Sequence, residues 1–363
     1  MKNKLLKLEA VRGFAAIYVV LHHSFSKGLI IGNYNFSFLF KYGQEAVILF
    51  FILSGFVIKY SFERSANKTF SDYFSKRFLR IYIPLIVVFI TNYLLLSYYA
   101  HSFIGAEWKT LLGNLFMLQD IPSLKLNVIC GPYLNNDPLW SLSYEWWFYM
   151  LFYFFITKLK QKATLVVFIL AILSSISYIF YPFFINRLLI YFAIWWSGVE
   201  IADIYLTKKT FSISNMKASL LTLGACLFAL LINAYFNSNN GLAKGIGISP
   251  KLEVRHFGFT IVVILLAILW NKFNWKFFNI TFGPFKFFAP VSYVMYVSHH
   301  FLVTDTSYLS FLNGFYLKFI VGFAICLLYS YLVELKYYKW MRDLILKGKA
   351  SVKPKGGKMA LVK

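Results

Sequence analysis

The sequence is poor in charge and poorer still in acid. Charged residues occupy 14% of its 363 positions, and 14 Asp and Glu stand against 37 Lys and Arg. So little charge excludes an ordinary soluble domain. Cysteine is scarce as well. Cys130, Cys226 and Cys326 lie far apart, which excludes a disulfide framework and any Cys-based metal spacing, so no metal is expected. Cys226 and Cys326 sit in apolar runs and read as small core residues. A net charge of +23 raises the question of nucleic acid. The basic residues, however, come in short clusters between apolar runs rather than on one soluble face. That is how a membrane protein arranges its cytoplasmic loops, and anionic lipid headgroups are a sufficient partner.

Apolar residues supply 59% of the chain and aromatics 21%, with a mean hydropathy of +0.63. Runs of about 20 apolar residues recur from end to end, so the expected fold is all-α, a polytopic transmembrane helical bundle. Ten spans are expected, at 8–27, 43–62, 81–100, 138–157, 163–182, 187–206, 217–236, 255–272, 285–304 and 315–335. The first could pass for a signal peptide core, but no small-x-small site ends it, so it reads as a retained helix. The stretch 111–121 is apolar but short, which suggests a re-entrant or interfacial segment. Residues 1–335 read as the transmembrane domain and 336–363 as a basic cytoplasmic tail, solvated and partly disordered. With the N-terminus inside, 27 of the 37 Lys and Arg fall on the cytoplasmic side, nine fall opposite, and Arg12 is within a span. That excess puts both termini in the cytoplasm and supports an even number of crossings.

Ionisable residues inside spans are costly and usually face the bundle interior, so Arg12, His22, His23, Glu45, Glu145, Glu200, Asp203, His299 and His300 are the informative ones. Arg12 and His23 are eleven residues apart. At about 100° per residue they share one helix face and lie about 16 Å apart along the axis, whereas His22 points away and is expected to pack or hydrogen-bond to a neighbour. In DPLWSLSYEWWFYML (137–151), Asp137-Pro138 reads as a helix start, and Ser141, Glu145 and Tyr149 form one polar stripe. Glu145 reads either as a functional carboxylate or as half of a structural pair between helices. In SYVMYVSHH (292–300), Ser292, Tyr296 and His299 share a face, and His300 reads equally well as a hydrated interface residue. Arg77 and Arg80 in KRFLRIYIP (76–84) are neighbours on a helix, either lipid anchors or a phosphate clamp. Arginines thus gather on the cytoplasmic side, and His23, Glu145 and His299 in the outer half. The arrangement suits a phosphorylated donor gripped inside with its reactive end delivered to a base.

These pieces resemble the integral membrane acyltransferase-3 family, the polysaccharide O-acyltransferases. LEAVRGFAAIYVVLHH is similar to the family's opening signature, with Arg12 and His23 at its spacing. GQEAVILFFILSGFVI is similar to its second helix, RFLRIYIP to its arginine pair, LWSLSYEWWFYML to its glutamate motif at Glu145, and SYVMYVSHH to its late histidine motif at His299. The resemblance runs nearly end to end and implies a ten-helix transferase of the inner (plasma) membrane. It implies acetyl-CoA as acyl donor and a saccharide hydroxyl, extracytoplasmic or lipid-linked, as acceptor. No appended hydrolase-like domain of the kind some members carry is expected.

On that reading Arg12, Arg77 and Arg80 bind the CoA phosphates and His23 is the general base. Glu145 orients or charge-balances it, His299 belongs to the catalytic set, and Ser141, Tyr144, Tyr149 and Tyr296 are candidate substrate or oxyanion donors. Buried His and Glu at mid-depth describe equally a proton-coupled glycan exporter, or a scaffold of a glycan assembly complex in which they merely hold helices.

Overall fold

The computed structural model describes residues 2–26, 28–238 and 245–351. Helices make up most of it, and the two-residue strands β1 (Ile30–Ile31) and β2 (Tyr34–Asn35) pair in a small ribbon after the first helix. The longer helices are α1 (Lys2–Phe25), α2 (Gly43–Arg64), α3 (Phe70–Tyr99), α5 (Trp140–Phe154), α6 (Ala163–Phe180), α7 (Phe184–Leu206), α8 (Lys217–Ser238), α9 (Lys251–Lys272), α12 (Phe315–Ser330) and α13 (Tyr338–Ser351). Shorter ones are α4 (Trp108–Leu115), α10 (Phe278–Thr281) and α11 (Ser292–His299).

Among the described residues, seven helical stretches are long and apolar enough to cross a membrane: Ser37–Arg64, Phe70–Tyr99, Asp137–Phe180, Phe184–Leu206, Lys217–Asn237, Lys251–Lys272 and Phe315–Leu346. This is a polytopic helical membrane protein. All ten expected stretches are largely helical, but three depart from the expected form. Residues 138–157 and 163–182 belong to one 44-residue helical stretch that reverses at Lys160, where φ is +49°. Asn127, before α5, donates to the carbonyl of Pro182, after α6, so the two helices return to the same end of the bundle. The stretch 285–304 is broken. Pro284 and Pro290 lack the N–H an α-helix needs, so the chain runs through two 3-10 turns (Gly283–Phe287 and Ala289–Val291), then α11, then a wide π turn (His300–Thr304). Helix α3 starts at Phe70 rather than 81, so Arg77 and Arg80 lie inside it. The expected tail is helical as far as Ser351, and 352–363 lie outside the described residues.

The bundle is centred on α2 and α7, which pack along most of their length. Helices α6, α8 and α9 lie behind α7, while α1, α11 and α12 pack on the other side of α2, with α3 beside α11 and α5. Lipid tails are as apolar as leucine, so helix association in a bilayer depends on close packing at small residues. At the α2–α7 crossing, a Cβ on Gly55 would stand 2.0 Å from the Trp195 carbonyl oxygen, and one on Gly198 2.0 Å from that of Ile52. Around this contact Phe51, Phe148, Phe152, Phe192 and Trp195 form a continuous set of edge and stacked ring contacts.

Alanine at Gly198 must therefore push α2 and α7 apart. Gly198→Ala is expected to destabilise the protein by roughly 1–3 kcal/mol, read as a lower melting temperature in detergent. An unchanged melt would mean that the crossing is not closely packed.

Candidate functional site

Helix α1 and the segment 283–300 run parallel, and the candidate site residues Arg12, His23 and His299 lie between them. At one end the Arg12 guanidinium donates to the carbonyl of Ala289 at 2.8 Å. At the other, the His23 ring lies 5.1 Å from that of His299, 6.2 Å from that of His300 and 5.0 Å from that of His22. Arg12 and His23 thus face one partner segment, as the eleven-residue spacing predicts. Four of the chain's six histidines meet here. Among the described residues, no three His, Cys, Asp or Glu side chains form a group able to hold a metal ion.

His299 is fully buried. Its Nδ1 lies 2.7 Å from the Tyr296 carbonyl and 3.3 Å from that of Met295. A carbonyl only accepts, so Nδ1 carries the proton in the neutral ring. Nε2 is left with its lone pair and has no partner among the described residues. His22 is fixed similarly, with Nδ1 2.5 Å from the Phe40 carbonyl. Gly43 makes that possible, since a Cβ there would stand 2.2 Å from the His22 ring. His22 accordingly does hydrogen-bond to a neighbour, but it is also part of the site. A cavity of ≈ 310 Å³ opens here, bordered by His22, His23, Gln44, Asp137, Trp140, Tyr296 and His300. His300 therefore borders a cavity shared with His23.

The polar stripe on α5 also forms. Ser141 Oγ and the Tyr296 hydroxyl are 2.8 Å apart. One turn further on, Glu145 accepts from Ser54 of α2 at 2.9 Å and from the Tyr149 hydroxyl. Its hydrogen-bond partners are thus Ser54 and Tyr149, and the expected orienting bond to His23 is not formed. The reason is depth: Trp140, at the first turn of α5, borders the cavity, and Glu145 lies more than a turn beyond it, in the field of Arg12 and Arg80. Tyr144 also departs from expectation. About 100° around the helix from Glu145, on a different face of α5, its hydroxyl donates to Asp120 at 2.5 Å and is committed there instead of serving as an oxyanion donor in the cavity.

The arginines gather in one layer. Arg77 donates to Ser61 of α2 at 2.8 Å and lies over the Tyr73 ring. Arg80 pairs with Glu334, just beyond α12, and lies over the rings of Tyr293 and Tyr338. Its side chain is 37% exposed, whereas that of Glu334 is fully buried. The other oxygen of Glu334 accepts the Val294 N–H at 2.9 Å, in the first turn of α11. A phosphate at Arg80 would thus compete with an internal carboxylate.

Sequence reasoning passed over Glu334, although it is an acid inside an expected span and the rule that selected Glu145 applies to it equally. It also passed over a fully buried ionic cluster behind the cavity. Lys125 pairs with Asp120 at 2.9 Å and stands 3.9 Å over the Trp140 ring, while Arg187 lies 3.6 Å from Asp120 and donates to the Leu126 carbonyl at 2.5 Å. Next to it, Tyr178 donates to Glu253 at 2.9 Å and the Tyr191 hydroxyl lies 2.7 Å from His256. Lys125 and Arg187 look like loop charges when counted by side, and no periodicity marks them as buried.

A family model described as an acyltransferase domain matches residues 5–335. Among curated proteins, Acyltransferase MdmB of Streptomyces mycarofaciens is 33% identical over 113 residues, covering 30% of this chain and 27% of that protein. The chain thus aligns with about a quarter of the length of that relative. No solved structure matches.

The Arg80–Glu334 pair predicts an asymmetry. Arg80→Ala strands a buried carboxylate and is expected to cost roughly 3–5 kcal/mol. Glu334→Gln leaves a partly exposed arginine that water can solvate, and costs less. The double variant is expected to recover most of the Arg80→Ala loss. Unfolding in detergent measures all three, and equal losses for the two single variants would contradict the burial difference.

Proposed function

The chain belongs to the acyltransferase-3 family of membrane acyltransferases, and on that premise we propose that it transfers an acetyl group from cytoplasmic acetyl-CoA to a hydroxyl of an extracytoplasmic or lipid-linked sugar, at the inner membrane. The observation that supports this reading best is the two-ended contact between α1 and the segment 283–300. Cationic side chains gather at one end, and a histidine-lined cavity opens at the other. The ends are separated by the eleven-residue rise of α1, about 16 Å, so an elongated donor can be held by its phosphates at one end and react at the other.

Arg12, Arg77 and Arg80 attract the CoA phosphates. Arg80 does so in competition with Glu334, and Glu145 balances the arginine layer through the Ser54–Tyr149 pair instead of orienting the base. The thioester lies near His23. His23 takes the proton of the acceptor hydroxyl as its oxygen attacks the thioester carbon. The tetrahedral adduct then expels the thiolate, and the proton returns from His23 to that sulfur. His299, with its lone pair on Nε2, stands next to His23 and helps to hold the charge that His23 acquires. Ser141 and Tyr296 form a hydroxyl pair between the arginine layer and the cavity and are the candidate donors to the oxyanion.

Purified protein given labelled acetyl-CoA is expected to transfer the label to a glycan acceptor or to release it slowly as acetate. His23→Ala is expected to lower transfer by about 10²–10⁴-fold while the protein remains in the membrane, and near-normal transfer would reject His23 as the base. On the donor side, Arg77→Ala and the double variant Arg80→Ala/Glu334→Gln are expected to weaken acetyl-CoA binding and steepen its salt dependence. Unchanged donor affinity in both would assign the arginines to lipid anchoring alone.

A further inference from the structure

One carboxylate in the cavity has no role in holding the fold together. Asp137 opens the first turn before α5, yet its side chain caps no helix end, makes no hydrogen bond and forms no ion pair among the described residues. Its electrostatic neighbour is His300, which also borders the cavity and is too far away to count as an ion pair. A charge at the edge of an apolar bundle is costly unless donors satisfy its oxygens. An ionised carboxylate offers about four acceptor sites, and here the protein fills none of them. Gln44 is in a similar position: it borders the same cavity, and its amide has no hydrogen-bond partner among the described residues. Between them they offer acceptors and an N–H₂ donor, which is the complement of a ring carrying several hydroxyls.

The shape of the cavity agrees with this. Trp140 borders it as an apolar side and is held in place by the Lys125 ammonium, 3.9 Å from its ring centre. Wall and polar edge together suit a molecule with one C–H face and a rim of hydroxyls. At ≈ 310 Å³ the cavity is at the small end of ligand sites, which suits one sugar ring rather than several.

We propose that this cavity is an acceptor subsite for a single pyranose ring, in which the Asp137 carboxylate and the Gln44 amide hold ring hydroxyls against Trp140 and turn one hydroxyl towards His23 and His300. The proposal rests on the reading that the acceptor is a sugar. It adds the residues that choose it. Asp137 and Gln44 are specificity residues and take no part in breaking the thioester.

The test is a binding measurement that needs no acyl transfer. Full-length protein in lipid nanodiscs, free of sugar detergents, is titrated with a panel of methyl hexopyranosides and with their per-O-methylated forms. The expected result is that at least one free glycoside binds and its per-O-methylated form does not. Asp137→Ala is expected to weaken that binding about tenfold, Asp137→Asn by less because one acceptor oxygen remains, and Gln44→Ala to weaken it too. The two Asp137 variants remove no internal hydrogen bond, so their melting temperatures are expected to match the parent. The comparison of free and methylated glycosides needs no variant at all. If no hexopyranoside binds, if methylated forms bind equally well, or if Asp137→Ala binds like the parent, the subsite is wrong. The two readings fail separately. Asp137-dependent glycoside binding without transfer from acetyl-CoA would sink the reaction and leave the subsite. Transfer with Asp137-independent binding would sink the subsite alone.

Discussion

The hydrogen bond from Arg12 to the Ala289 carbonyl sets the register of everything around it. A guanidinium inside an apolar bundle must find acceptors, and the Ala289 carbonyl, which also accepts from the N–H and the hydroxyl of Ser292, supplies one. With Arg12 fixed there, the pitch of α1 leaves no choice about where His23 goes, and it arrives beside His299. The irregular backbone at 283–291 comes close to α1 at Gly13, where a Cβ would stand 1.9 Å from the Phe285 carbonyl oxygen. Broken helix is tolerated at membrane depth where protein covers it, and this one packs against α1 with Ala289 and Val291 buried.

Charge pairing organises the rest. Glu334 is paired with Arg80 and also holds the first turn of α11 through the Val294 N–H. The same carboxylate therefore belongs to the arginine layer and to the helix that carries Tyr296 and His299. Lys59 does a comparable job at the C-terminal end of α2, bridging Glu63 of the same helix and Asp203 of α7 at 2.9 and 3.1 Å. Arg255 of α9 reaches Glu45 in the first turn of α2. Except for Lys59–Glu63, which lies within α2, each pair joins helices that apolar packing alone would hold only weakly in lipid.

Much of this was legible before any coordinates. Hydropathy gave the helical class and the approximate spans, because the bilayer imposes a length that shows in composition. Helical pitch put Arg12 and His23 on one face, and Ser141, Glu145 and Tyr149 on another, because both inferences need only the geometry of a single helix. What failed needed a second element. Nothing along α5 says that Glu145 meets Ser54 across from it, or that Tyr144 turns towards Asp120. The proline break at 284–290 was readable from residue type and was hidden by the apolar average around it. The Asp120–Lys125–Arg187 cluster lay out of reach because its members come from a loop and a helix end, and only tertiary folding puts them together.

That cluster determines what kind of wall the cavity has. Residues 117–126 form an irregular stretch, the sort of segment that would ordinarily be pliable, yet its charges point inward and are held between Tyr144, Tyr191 and the Trp140 ring. Releasing it would mean exposing several unmatched ions at once. The lip of the chamber is therefore a mould rather than a lid, and its outline is fixed before anything enters it.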